Sequence, residues 1–79
     1  MQAVTRNDVV ALVQKADVLR DIGKLRDDVK FSDQGIDSLG IFNVILLVGE
    51  KYKIEIPDSD INDMLTVNAI VTYLNGRLS

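Results

Sequence analysis

The chain has 79 residues, 9 Lys/Arg against 12 Asp/Glu, and neither cysteine nor histidine. A chain of this length makes one small domain with a limited core, expected here to span residues 1–79 as a single unit. Its composition excludes disulfides, thiolate or imidazole metal sites and a Ser-His-Asp triad, so self-contained catalysis is not expected.

The net charge of −3 is unevenly spread. Residues 1–30 carry six Lys/Arg and five Asp, a net of +1, and residues 31–79 carry three Lys/Arg and seven Asp/Glu, a net of −4. An acidic balance without a basic patch argues against nucleic-acid binding. It favours basic protein partners weakly, because moderate acidity also serves solubility. The first residues lack the apolar core of a signal peptide. The longest apolar run, from Val44 to Val48, is far too short to span a bilayer. A soluble, cytoplasmic, monomeric protein is expected, and the start at Met1 reads as that of a freestanding protein.

Thr5 is a helix N-cap candidate with Asp8 three residues on, where a negative charge suits the helix dipole. Val9, Leu12, Val13 and Ala16 then recur on one helical face. The first helix should end near Ala16, with a looser continuation to Ile22 and a Gly23 cap as the alternative. From about residue 17 to residue 34 the charges alternate and the apolar residues lose their period. This stretch reads as a long loop pinned to the core by Leu19, Ile22, Leu25, Val29 and Phe31, and a loop of such length is often functional. The alternative is a missed helical turn near residues 18–22.

Gly35-Ile36-Asp37-Ser38-Leu39 stands where that loop gives way to the most apolar helix. Asp37 and Ser38 are both good helix-start residues. The second helix should cover residues 38–53. One stripe (Leu39, Phe42, Ile45 or Leu46, Gly49, Tyr52) suits the core. A second stripe (Ile41, Val44, and Leu47 or Val48) is left over as a candidate docking face for a partner. The competing reading packs Val44 and Leu47 beneath the long loop.

Ile54 and Ile56 alternate with charged residues as in a short extended segment, and Pro57 begins a short helix that runs to about Met64. The acids at 58, 60 and 63 do not make a calcium loop, because Ile61 falls at a ligand position and the sixth residue is not glycine. Thr66 caps a last helix with Val67, Ile70, Val71 and Leu74 on one face, closed by Gly76, and Tyr73 lies at the edge of the core. The expected fold is all-α: a small bundle of three to four helices with a long loop between the first two.

Taken alone, Ser38 reads first as part of a helix cap. It also reads as a hydroxyl at an exposed helix N-terminus, where a phosphate on the serine would be favourably placed. The string from Phe31 to Leu39 (Phe31-Ser32-Asp33-Gln34-Gly35-Ile36-Asp37-Ser38-Leu39) resembles the phosphopantetheine attachment motif of acyl carrier proteins. Fifteen residues after Leu39, Ile54-Glu55-Ile56-Pro57-Asp58 resembles the segment that follows the second helix in that family, and Thr66-Val67 resembles the opening of its last helix. The resemblance covers about residues 31–74, and the first helix by pattern only.

The resemblance implies an acyl-carrier-protein-like bundle in which Ser38 is esterified by 4′-phosphopantetheine, donated by coenzyme A through a separate phosphopantetheinyl transferase. The protein is then a carrier and not a catalyst, and the arm supplies the thiol that the chain lacks. Asp37 matches the aspartate before the serine, and Leu39 a position near the base of the arm that serves both partner contact and packing. The implied partners are an acyl- or aminoacyl-loading enzyme, an acyltransferase or a ketosynthase. One departure stands out. Carriers of ordinary fatty-acid synthesis usually have an acidic second helix, whereas residues 40–49 here carry no charge. Apolar contact should then outweigh charge steering in docking, which points to a specialised polyketide or related pathway. A freestanding aminoacyl or peptidyl carrier shares the same features. A helical interaction module that never carries an arm is the reading of a different class.

Overall fold

The computed structural model describes residues 3–78. Met1, Gln2 and Ser79, the ends of the expected 1–79 unit, lie outside the described residues. Three α-helices dominate the fold: α1 (Arg6–Ala16), α2 (Ser38–Tyr52) and α3 (Val67–Leu78). Three 3₁₀ turns join them, over Ile22–Lys24, Phe31–Gln34 and Asp58–Asp63. Among the described residues there is no strand, so the fold is the all-helical small bundle expected from the sequence. Among the described residues no helix is long and apolar enough to cross a membrane.

Local chemistry sets each boundary. At the start of α1 the Asp8 amide donates to the Thr5 hydroxyl at 3.3 Å and the Thr5 amide donates to Asp8 Oδ2 at 2.9 Å, a complete capping box. The helix stops at Asp17, whose φ of 57° is left-handed, a conformation that a short polar side chain tolerates. The looser continuation toward Ile22 is therefore not formed; that stretch holds only the 3₁₀ turn Ile22–Lys24, whose Gly23 amide donates to the Asp21 side chain at 3.0 Å. The stretch expected as one long loop thus contains two 3₁₀ turns. A regular apolar period is absent because the buried anchors are set by these turns, Leu25 directly after the first and Phe31 opening the second.

α3 is capped by Thr66, whose hydroxyl accepts from the Ala69 amide at 2.9 Å. Gly76 does not close it: the helix runs on to Leu78. Arg77 holds that last turn in place by donating to the Tyr73 hydroxyl at 2.7 Å and to the Glu55 carbonyl at 3.1 Å. The short helix expected over residues 58–64 is a 3₁₀ turn, Asp58–Asp63, that buries none of its own residues.

Phe31, Met64, Ile70 and Leu74 are the largest of the fully buried side chains and are joined by Val9, Val13, Val44, Val48 and Val67. All three α-helices and the loop contribute to this one core. Burying a side chain of this size contributes about 1.5–3 kcal/mol. Two backbone bonds tie the loop to the start of α3: the Phe31 amide donates to the Leu65 carbonyl at 2.9 Å, and the Asn68 amide donates to the Asp27 carbonyl at 3.0 Å. Arg6 adds a bond from Nε to Asp27 Oδ2 at 2.5 Å.

Candidate functional site

The stretch leading into α2 is built by three interlocking devices. Gln34 is the first. Its side chain accepts from the Arg26 amide at 2.8 Å and donates to the carbonyls of Arg26 at 3.0 Å and Val29 at 2.8 Å. One amide side chain thus fastens the middle of the long loop to the residues before the helix. Gly35 is the second: its φ of 86° is the left-handed region that glycine enters freely. That turn lets the Ile36 amide reach back to the Phe31 carbonyl at 3.1 Å and buries Ile36.

Asp37 is the third. Its carboxylate accepts from the Gly40 amide at 2.8 Å, and its carbonyl accepts from the Ile41 amide at 3.0 Å as the first bond of the helix. Asp37 is therefore the N-cap and Ser38 the first residue of α2. Between the two readings of the helix start, the cap role falls to Asp37. Ser38 is exposed, with Asp37 and Leu39 exposed on either side. The amides of Ser38 and Leu39 precede the first intrahelical bond and have no partner among the described residues. A hollow of about 320 Å³ adjoins this end of α2, lined in part by Asp17, Val18, Asp37 and Asn43.

Gly40 fixes the rotation of α2. A methyl group there would stand 2.8 Å from Ile36 Cγ2 and 3.0 Å from Val18 Cγ1, so the glycine face is pressed against the loop. The buried residues of α2 are Gly40, Val44, Ile45 and Val48. This corrects the expected docking face. Val44 has no exposure and belongs to the core, and Ile41 and Leu47 are half-buried and pack against the core edge. The outward face carries residues assigned to the core stripe instead: Leu39 is 75% exposed, Phe42 48% and Leu46 61%.

The physical reason is that two apolar stripes of similar strength cannot be ranked by hydropathy. What ranks them is Gly40, which costs about 1 kcal/mol in a helix interior and so marks a close packing contact. Gly40, Val44 and Val48 recur every four residues on that face. Sequence reasoning missed Phe42 and Leu46 as outward residues, and the glycine spacing was the signal that could have found them.

Beyond Leu46 the exposed stripe meets a groove of about 360 Å³, walled by Ile45, Leu46 and Gly49 on α2 and by Ile54 and Ile56 opposite, with Glu50 and Glu55 at its rim. Two tyrosines stand apart from this site, Tyr52 at the end of α2 and Tyr73 in the middle of α3. Partial burial raises the pKa of Tyr52, and the charge of Asp8 adds to it. Partial burial also raises that of Tyr73, as does its bond to Asp60. Neither hydroxyl neighbours Ser38 in the chain, and among the described residues no group of acids could hold a metal ion.

The arrangement offers an accessible hydroxyl, two unused amides at the positive end of a helix, and a run of exposed apolar side chains leading away. A phosphate ester on Ser38 suits the first two features, and an extended chain beyond it suits the third. Asp37 already occupies the Gly40 amide, which leaves those of Ser38 and Leu39 for such a group.

Comparison with known proteins agrees with this chemistry. Residues 8–74 match the family described as "Phosphopantetheine attachment site". The chain is 32% identical over 69 residues to an acyl carrier protein of Campylobacter fetus, covering 87% of this chain and 86% of that one. It is 33% identical over 73 residues to an acyl carrier protein of Campylobacter jejuni, covering 91% and 94%. With an acyl carrier protein of Campylobacter hominis it shares 36% over 69 residues, covering 87% and 84%.

Proposed function

The chain belongs to the phosphopantetheine attachment family that includes the acyl carrier proteins, and from that premise we propose that Ser38 is the residue that bears the arm. Family membership makes the group a covalent 4′-phosphopantetheine and the protein a carrier, not an enzyme. The observation that carries the assignment to Ser38 is its position as the exposed first residue of α2, directly behind the Asp37 cap and inside the matched stretch.

The arm supplies a thiol on which acyl groups travel as thioesters. This chain's own residues do the rest. Gln34 and Gly35 hold the loop so that the Ser38 hydroxyl faces outward. The amides of Ser38 and Leu39 stabilise the phosphodiester charge. Asp37 keeps the helix start rigid and offers a carboxylate to the transferase. Leu39, Phe42 and Leu46 form the face on which acyl-loading and acyl-accepting enzymes dock.

We further propose that the pathway is a specialised one, polyketide or related, and that residues 1–79 act in it as one monomeric carrier unit. The absence of charge over residues 40–49 of α2 supports the specialised pathway, since the exposed centre of the helix offers partners apolar contact in place of charge.

Intact mass after incubation with coenzyme A and a broad-specificity phosphopantetheinyl transferase tests the assignment, beside a Ser38→Ala control. One added phosphopantetheine, absent from the control, is expected. A folded wild type that stays unmodified by this transferase and by the host's own overturns it. Loading of the modified protein by an acyltransferase, and not by an amino-acid-adenylating enzyme, then separates the acyl from the aminoacyl carrier.

A further inference from the structure

Tyr73, Asp60 and Arg77 form a polar cluster far along the chain from Ser38. The Tyr73 hydroxyl donates to Asp60 Oδ2 at 2.6 Å and accepts from Arg77 Nη1 at 2.7 Å. The second guanidinium nitrogen, Nη2, donates to the Glu55 carbonyl at 3.1 Å. Two side chains of α3 therefore grip two separate points, the 3₁₀ turn Asp58–Asp63 and the extended residues before it.

Besides the bond from the Ile54 amide to the Gly49 carbonyl at 3.1 Å, which hinges its start on α2, the gripped segment has little else to hold it. A 3₁₀ run of six residues is longer than the three or four usual for that geometry, and its hydrogen bonds are poorer than those of an α-helix. None of its residues is buried. Ile54, Ile56 and Ile61 are only partly buried, and the first fully buried anchor after them is Met64. Residues 54–56 are at the same time one wall of the groove beside Leu46, whose opposite wall is α2. A Cβ at Gly49 would stand 3.1 Å from the Ile54 carbonyl oxygen, so the wall lies directly against the helix backbone.

We propose that Tyr73 and Arg77 act as a clasp on residues 54–63, and that its release lets this segment swing away from α2 and widens the groove next to Leu46. Leu46 belongs both to the exposed stripe and to the groove, so release enlarges the apolar area at the far end of the docking face. An apolar side chain of a docking enzyme, flanked by a cation to meet Glu50 or Glu55, is the occupant that fits. That use rests on the carrier reading, whereas the clasp itself does not.

Hydrogen exchange of the unmodified protein tests the clasp in the wild type, in Tyr73→Phe and in Arg77→Gln. Tyr73→Phe removes the hydroxyl and keeps the ring, so the core contacts survive. Exchange at the amides of Asp60 and Met64 should rise about five- to tenfold in both variants, as expected for loss of one exposed hydrogen bond. The amides of Val13 and Val48 should stay unchanged. Binding of the apolar dye anilinonaphthalene sulfonate should rise in parallel, and Leu46→Glu should cancel the gain. Unchanged exchange at Asp60 and Met64 overturns the clasp. So does an equal rise at Val13 and Val48, because the two residues then hold the whole bundle alike. A local rise without added dye binding overturns the widening of the groove. Since Ser38 is unmodified throughout, these outcomes do not depend on its role.

Discussion

Asn75 and Val4 exchange two hydrogen bonds across 71 residues of sequence. The Val4 amide donates to Asn75 Oδ1 at 2.8 Å, and Asn75 Nδ2 donates to the Val4 carbonyl at 3.1 Å. A single side chain on α3 thus satisfies both backbone groups of the residue that leads into α1. Val4 is itself buried, so water cannot easily replace those bonds. Asn75→Leu keeps the volume and removes both partners. It should cost about 1–3 kcal/mol. In a domain of this size that lowers the thermal midpoint by roughly 4–8 °C per kcal/mol. A thermal melt that matches the wild type would show that Val4 frays without consequence.

Gly40→Ala decides between two opposing effects. Alanine gains about 1 kcal/mol of helix propensity over glycine. Against this, the new methyl meets Ile36 Cγ2 at 2.8 Å and Val18 Cγ1 at 3.0 Å, and such overpacking costs about 1–3 kcal/mol. Neither neighbour is the free end of a long side chain, so the clash should prevail. The expected outcome is a net loss of stability in chemical denaturation, together with slower modification of Ser38 as the loop is pushed off α2. A stabilised variant would mean that the loop yields easily.

The proposed docking face and the buried face of α2 should respond differently to substitution. Phe42→Glu and Leu46→Glu alter exposed side chains and should leave the helical circular dichroism and the unfolding midpoint within experimental error. Each should reduce acyl transfer from a cognate enzyme by tenfold or more, about 1.4 kcal/mol for a docking anchor. Val44→Glu places a carboxylate in the core and should prevent folding. Equal loss of structure in all three would return Phe42 and Leu46 to the core.

Asp8 sets an acid limit. The Thr5 backbone amide donates to its carboxylate and holds its pKa below the ordinary value; burial opposes the shift, and the Thr5 hydroxyl and Lys51 reinforce it. A depressed folded pKa means that the carboxylate binds protons less readily in the folded state. Its stabilising contribution is therefore complete above the unfolded pKa and is lost as the pH falls through the folded value. Asp8→Asn keeps an acceptor for the Thr5 amide and should flatten the fall of the melting temperature below about pH 4, where unperturbed aspartates titrate. An identical pH profile in the variant would assign that fall to other acids.

What could be read from the sequence follows the reach of each interaction. Thr5, Asp37 and Thr66 cap helices through bonds to residues three positions away, so local pattern locates all three helix starts. The ends of α1 near Ala16 and of α2 near Lys53 were legible from the loss of the apolar period, although Asp17 and Lys53 close them in left-handed conformations that no glycine advertises. The stop that misled is Gly76, which lies inside a helix whose last turn is held by Arg77 on Glu55. The orientation of α2 was hard to read for a related reason: both stripes are apolar, and the one local cue is Gly40, whose contact with Val18 and Ile36 chooses between them. Gln34 was readable as a loop residue and not as the fastener of that loop, because its partners at Arg26 and Val29 are backbone groups that carry no sequence signal.

The bonds from Phe31 to Leu65 and from Asn68 to Asp27 impose an order on biogenesis. The loop that presents Ser38 is anchored to residues made well after it, so during translation the serine emerges long before its setting can close. A nascent chain shorter than about residue 68 has the attachment sequence but not the anchored loop. If the modifying enzyme reads the folded loop, the arm is added only after the last helix has begun to dock, and truncated or stalled chains are passed over. Quality control of the carrier would then be built into the acceptor itself, with a costly cofactor reserved for chains that have completed their fold.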